Sequence, residues 1–311
     1  MLQKSAQAAL DYGKQFVPQG KVADYIPELG KADPNALGLC IFTNDGQSVY
    51  CGDVDTRFTI QSICKVISLA TALQVVGFEK VFSKVLMEPS GDAFNSIIKL
   101  DTADDRPYNP MINSGAIEVV SLLAPRFTFD QLLSYARMLC MDQDIVLDEA
   151  VYHSEDTTGD RNRAIGYLLK SKGVLEGDVP KCLDLYFRLC SLSVNARSLA
   201  GLGLTLANGG VDPNSGIRLL DERVVRVIKT LMFTCGMYDG SGEFAVRTGI
   251  PAKSGVGGGI MGCVENRMGI GVYGPALDEK GNSIGGTMAL EHLSRALHLH
   301  IFDSLDKKQA F

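Results

Sequence analysis

The chain has 311 residues, of which 46% are apolar and 21% charged. That composition excludes a disordered chain and supplies one large domain, or two sub-domains sharing a core. A net charge of −6 gives no basis for nucleic acid or an anionic membrane as partner, and only four histidines are present.

In chain order, residues 1–17 read as an amphipathic helix broken by Pro18 and Gly20. An apolar strand over 36–43, the turn Asn44-Asp45-Gly46 and a return strand over 48–51 read as a hairpin. Arg57-Phe58-Thr59-Ile60 leads into a helix over 62–76, stopped by Gly77. Asn109-Pro110 is the pattern of a helix N-cap followed by Pro at the first position, and opens a helix to about residue 123. Further helices read from Thr128 to Met141 and over 161–172, 180–192, 196–207 and 221–234. Strand patterns follow over 244–248, 259–265 and 268–273, with Asn266-Arg267 as a turn, and a helix over 285–302 closes the chain. The order predicts an α/β (α+β) fold. The late strands pair with the early hairpin in one antiparallel sheet, and an all-α insertion lies between them. The expected boundaries are residues 1–75 with 220–311 for the α/β part and 76–219 for the helical part, within one domain over 1–311.

The eight cysteines include no C-x-x-C pair, and most stand among apolar neighbours, as in Leu39-Cys40-Ile41. They read as reduced core residues of a cytoplasmic protein. The first residues lack the apolar stretch of a signal peptide, and no run approaches the ~18 apolar residues of a membrane span. Asp101, Asp104 and Asp105 lack cooperating histidines or a fixed coordination spacing, so they read as a solvated loop. No metal and no cofactor is expected. His292, His298 and His300 crowd at the end and leave His153 alone elsewhere, so acid–base chemistry falls to other residue types.

Two motifs carry chemistry. Ser62 and Lys65 form an S-x-x-K spacing at a helix start, one turn apart on one face. A serine hydroxyl attacks only when a base takes its proton, and a desolvated lysine is such a base. A serine N-cap with an exposed lysine gives the same letters. So does the chance match at 304–307. The apolar residues after Lys65 favour a buried pair. The second motif is Lys253-Ser254-Gly255 before the glycines 257–259, the type of partner that accompanies S-x-x-K in penicillin-binding enzymes. A flexible glycine turn is its plain alternative. Residues 257–262 also fit G-x-G-x-x-G, but strands follow and no dinucleotide-type helix does.

Together with Lys21 to Leu29, Phe58 to Lys65, Arg106 to Ile117, Ser154-Glu155, Arg161-Asn162 and Lys253 to Gly259, these motifs resemble the glutaminases of the serine-dependent β-lactamase-like family, in their short bacterial form. The resemblance runs from about residue 20 to 300. Cys64 departs from the commoner Ser, and Ser114 from the commoner Ala. The resemblance implies hydrolysis of L-glutamine to L-glutamate and ammonia, a β-lactamase-like fold and a homo-oligomer, a tetramer in many members. It implies Ser62 as nucleophile, Lys65 as base and Tyr238 as a proton relay. It further implies Tyr25, Gln61, Asn113, Glu155, Asn162, Tyr186 and the Val256 backbone at the substrate, with Lys253 in support. Lys253 is expected to lower the Lys65 pKa by repulsion. Three rival readings share some of these residues. A β-lactamase or D-Ala-D-Ala peptidase would need a middle S-x-N motif, and Ser193-Val194-Asn195 stands in the position of a helix cap. A glutamine sensor without catalysis would have lost Ser62 or Lys65. A cysteine-dependent amidase would need a histidine beside Cys64.

Overall fold

The computed structural model describes residues 1–90 and 106–303. Asp101, Asp104, Asp105 and the chance motif at 304–307 lie outside the described residues. Five strands form one antiparallel sheet: β1 (Gly38–Thr43), β2 (Ser48–Gly52), β6 (Ala252–Gly255), β7 (Gly259–Val264) and β8 (Met268–Tyr273), in the order β2-β1-β8-β7-β6. The early hairpin therefore pairs with the late strands as expected, with Gly38 opposite Tyr273 and Ile41 opposite Ile270. At the hairpin tip Gly46 takes φ +84°, a left-handed value that a Cβ would penalise.

Alternation along the strands gives the sheet two apolar faces. Leu39, Ile41, Ile270 and Val272 pack with α1 (Leu2–Lys14) and α12 (Ile284–Leu297) through Ala6, Leu10, Leu290 and Leu293. Cys40 and Tyr273 face the other way, onto Ala196 and Ala200 of α9 (Ala196–Ala207). This second contact is backbone against backbone. A Cβ on Gly271 would lie 1.9 Å from the Ala196 carbonyl oxygen, and one on Gly269 2.1 Å from that of Ala200. The small residues of α9 and β8 are what let the helix lie so close to the sheet.

The remaining helices share a second core. They are α2 (Cys64–Val75), α3 (Phe78–Lys84), α4 (Asn113–Leu123), α5 (Phe129–Leu139), α6 (Glu149–Thr158), α7 (Asp160–Ser171), α8 (Val179–Cys190) and α10 (Glu222–Cys235). Thr128 caps α5 in a reciprocal box with Gln131. Asn195 caps α9 by accepting from the Ser198 N–H at 3.0 Å, so Ser193-Val194-Asn195 is a cap, as its position suggests. Among the described residues no helix is long and apolar enough to cross a membrane.

Several boundaries differ from the sequence reading. Asn109-Pro110 does not open a helix. The Asn109 side chain accepts from the Met111 and Ile112 N–H groups and closes a turn, and α4 begins at Asn113. Residues 244–248 are not a strand. Ser241–Arg247 is a helix, α11, in which Phe244 is buried and Val246 is 80% exposed, so helical packing of one phenylalanine overrides the β-preference of the segment. The strand lies later, at β6, and carries Lys253 and Ser254. The helix expected over 62–76 starts with a 3-10 turn at Gln61–Ile63, and α12 stops at Leu297, where His298 takes φ +50°. A small second sheet of β3 (Phe58–Thr59), β4 (Val146–Leu147) and β5 (Leu192–Val194), in the order β3-β5-β4, has no counterpart in the reading, nor have α3 and α6.

Candidate active site

The centre of the site is the junction of β3 and α2. The Ile60 N–H donates to the Leu192 carbonyl at 2.8 Å and ties the end of β3 to β5. The chain then turns tightly through Gln61, whose φ of +49° is unusual for a residue with a side chain. Such strain persists only where the surroundings over-determine it. Here the turn is trapped against β6 and the loop after it. A Cβ on Gly255 would lie 2.7 Å from the Ile60 carbonyl oxygen, and one on Gly257 2.4 Å from that of Thr59. Glycine at both positions lets the Val256 backbone come up beside Ser62, and both residues line the same cavity.

Ser62 is buried, and Lys65 is fully enclosed. The Lys65 Nζ donates to Ser62 Oγ at 2.9 Å and to Asn113 Oδ1 at 2.7 Å. Asn113, at the start of α4, passes the chain on, with its Nδ2 donating to Asn162 Oδ1 on α7 at 3.0 Å. Gln61 Nε2 reaches Glu155 Oε2 on α6 at 3.4 Å and Thr59 Oγ1 at 3.2 Å. The serine is therefore no N-cap, and the lysine is not exposed.

Burial sets the electrostatics. It pushes the Lys65 ammonium down to about 8, against the opposing pull of Cys190, Cys64 and Glu155. It raises the Glu155 carboxyl to about 7, held from going further by Gln61 and Lys65. Lys253 is held well below the usual lysine range, first by burial and then by the Lys65 charge. The expected repulsion between the two lysines is thus present. The Lys253 Nζ donates to the carbonyls of Ser254 at 2.7 Å and Gly236 at 3.2 Å, and sits 4.5 Å from the centre of the Tyr238 ring.

Tyr25, Gln61, Ser62, Asn113, Glu155, Asn162, Tyr186 and Val256 all line one cavity of about 100 Å³. Tyr25 stands at its mouth with 54% of its surface exposed. Tyr238 sits behind Ser62, hydrogen-bonded to it and donating to the Ser254 carbonyl at 3.3 Å. Burial raises its hydroxyl pKa, so it holds its proton. Its φ of +55° is a second strained position beside the serine. Ile26, Thr158, Gly159, Arg161 and Cys190 also line the cavity and were not foreseen. Arg161 had its adjacency to Asn162 as a signal. Cys190 had its i,i+4 spacing from Tyr186, which puts both on one face of α8. His153 is exposed on α6, 3.9 Å from Glu149. It is no partner for Cys64, so the cysteine-dependent reading fails. No group of three or more His, Cys, Asp or Glu able to hold a metal occurs among the described residues.

A mixed helical and antiparallel-sheet fold, with the serine of a buried S-x-x-K pair in the wall of a polar cavity, defines a hydrolase of the serine β-lactamase-like fold class. The family model described as Glutaminase matches residues 20–302. The chain is 52% identical over 300 residues to glutaminase 2 of Clostridium perfringens, covering 95% of this chain and 98% of that protein. It is 53% identical over 297 residues to a glutaminase of Fusobacterium nucleatum, covering 94% and 97%. Among solved structures, it superposes with a TM-score of 0.88 and 37% identity on a Bacillus subtilis glutaminase in covalent complex with 5-oxo-L-norleucine, formed by reaction with 6-diazo-5-oxo-L-norleucine. The match covers 96% of this chain and 99% of that one. The chain belongs to the glutaminase family.

Proposed function

We propose that this glutaminase hydrolyses the side-chain amide of L-glutamine through a glutamyl ester on Ser62. The carrying observation is the short contact of Lys65 Nζ with Ser62 Oγ, inside a cavity whose other walls suit a zwitterion with an amide tail. A neutral lysine amine has two N–H bonds and one lone pair. The 2.7 Å contact to Asn113 engages one N–H, and the lone pair then turns toward the serine proton. With a pKa of about 8, about one Lys65 in ten is neutral at pH 7. Ser62 Oγ attacks the γ-carbonyl carbon while Lys65 takes its proton. The backbone N–H groups of Ser62 and Val256 stabilise the oxyanion. Neither amide is used by a backbone carbonyl outside its own element among the described residues.

Tyr238 keeps its proton and lies against Ser62, so it passes a proton to the departing ammonia and recovers it from Lys65. Water then attacks the ester with Lys65 again as base. Glu155 takes the α-ammonium of the substrate, which holds that carboxyl ionised. Asn113, Asn162 and Tyr25 meet the α-groups, and Gln61 and Tyr186 close the cavity around the chain of the substrate. Eight buried cysteines, all reduced, support a cytoplasmic placement, and the family resemblance supports a homotetramer. The test is ammonia release from glutamine and from asparagine by wild type and Ser62→Ala. Release from glutamine by wild type, lost in the variant, supports the reading. Retained activity in Ser62→Ala overturns it.

A further inference from the structure

Two thiols beside the site, Cys190 in its wall and Cys64 behind it, have no part in this chemistry. All eight cysteines are reduced and buried, and Cys64 and Cys190 are the pair whose sulfurs touch, at 3.7 Å. Cys64 is the first residue of α2, between Ser62 and Lys65 in the chain. Cys190 is the last residue of α8 and lines the substrate cavity. Cys190 lines the cavity together with Glu155 and Tyr186 and interacts electrostatically with both. One pair of sulfurs therefore links the nucleophile turn to two residues of the cavity wall.

We propose that Cys64 and Cys190 form an oxidisable pair, a modification site for hydrogen peroxide entering through the substrate cavity, whose disulfide shuts the active site. The inference rests on the reading of that cavity as the glutamine site. The Cys190 sulfur attacks one peroxide oxygen, the O–O bond breaks, and the departing hydroxide leaves as water with the thiol proton. This gives Cys190 sulfenic acid. The Cys64 sulfur then attacks the Cys190 sulfur, the S–O bond breaks, and the hydroxide leaves as a second water with the Cys64 proton. Two thiols and one peroxide yield one disulfide and two waters.

The bond draws the sulfurs from 3.7 Å to about 2.05 Å. The start of α2 and the end of α8 must absorb that movement. Displacement of a reacting group by about 1 Å costs on the order of a hundredfold in rate, so the Ser62–Lys65 turn cannot stay productive. The thiols are enclosed and burial holds Cys190 in its protonated form, so the reaction is slow in the resting enzyme. It needs an oxidant small enough for a cavity of about 100 Å³.

The experiment treats the full-length wild type and the Cys64→Ser and Cys64→Ala variants with hydrogen peroxide, then removes the peroxide with catalase. Ammonia release is measured before and after dithiothreitol, and peptides are mapped without reductant. Expected in wild type are a Cys64–Cys190 cross-linked peptide, a loss of activity of at least about tenfold and its recovery with dithiothreitol. Saturating L-glutamate during the exposure should slow cross-linking severalfold. The two variants should lose less than about twofold of their own starting activity in the dithiothreitol-reversible fraction. The proposal is overturned by the absence of that cross-link, by a cross-linked enzyme that keeps its rate, or by equal reversible loss in the variants. Cross-linking is read by mass and needs no catalysis, so its failure is distinct from a failure of the Ser62 assignment.

Discussion

Two places in the helical half bury a carboxyl group, and they differ in almost everything else. Glu155 on α6 faces the cavity, accepts from Gln61 and feels the Lys65 charge. Glu118 on α4 is fully enclosed, and among the described residues neither of its carboxyl oxygens has a partner at hydrogen-bond geometry. Burial raises both, Glu155 to about 7 and Glu118 to about 8, with Lys84 the main opposing charge on Glu118. A shifted pKa thus marks burial and does not by itself mark function. What separates the two is connection. Glu155 belongs to a set of polar groups that converge on the cavity, whereas Glu118 sits in packed core with Lys84 as its main counter-charge.

The comparison breaks most visibly at the serine. Ser62→Ala should lower kcat by at least about 10⁴-fold, and Lys65→Ala by about 10²–10⁴-fold, both read as ammonia release. Glu155→Gln should act next. Losing a charge-assisted contact with the substrate ammonium costs roughly 1.5–3 kcal/mol, or about 10- to 150-fold in kcat/KM, seen mainly in KM. The pH profile sharpens the same point. Glu155 must be ionised and Lys65 neutral, so kcat/KM should rise with pH through about 7 and again through about 8. The lower limb should vanish in Glu155→Gln.

Glu118 should give the opposite pattern, no change in catalysis but a change in stability. Its folded-state pKa lies above the unfolded value, so its contribution is fully present below about pH 4.5 and is lost as pH rises through about 8. Glu118→Leu should therefore be more stable than wild type at pH 8, by roughly 1–3 kcal/mol, with the advantage shrinking toward pH 5 in denaturant titrations. Unchanged or lower stability at pH 8 would show that the Glu118 carboxyl is satisfied after all.

Legibility in the sequence followed the range of the interactions. The hairpin and the sheet partners were readable because Asn44-Asp45-Gly46 and strand alternation are local signals. Ser62 and Lys65 were readable as a pair because both lie within one helical turn. Their environment was not. Asn113 and Glu155 reach the centre from α4 and α6, and no periodicity in either helix points there, so a family resemblance had to supply them. The small sheet of β3, β4 and β5 escaped because strands of two or three residues are too short to show a period of two. Phe244 to Thr248 reads as a strand because its residues are β-prone, whereas its buried positions, Phe244 and Thr248, are four apart and lie on one helical face. Cys190 was hidden for the same reason as Asn113, since its partner Cys64 comes from a distant element. The fold class and the Ser62–Lys65 pair were thus local messages, and the cavity was a message of packing.

The most direct test of the account is where 6-diazo-5-oxo-L-norleucine attaches. The enzyme should be incubated with this reagent, digested and mapped by mass spectrometry, alongside Ser62→Ala. The account predicts one stoichiometric adduct on Ser62 in wild type and none in the variant. An adduct on Cys64, Cys190 or Tyr238, or full labelling of Ser62→Ala, would contradict it.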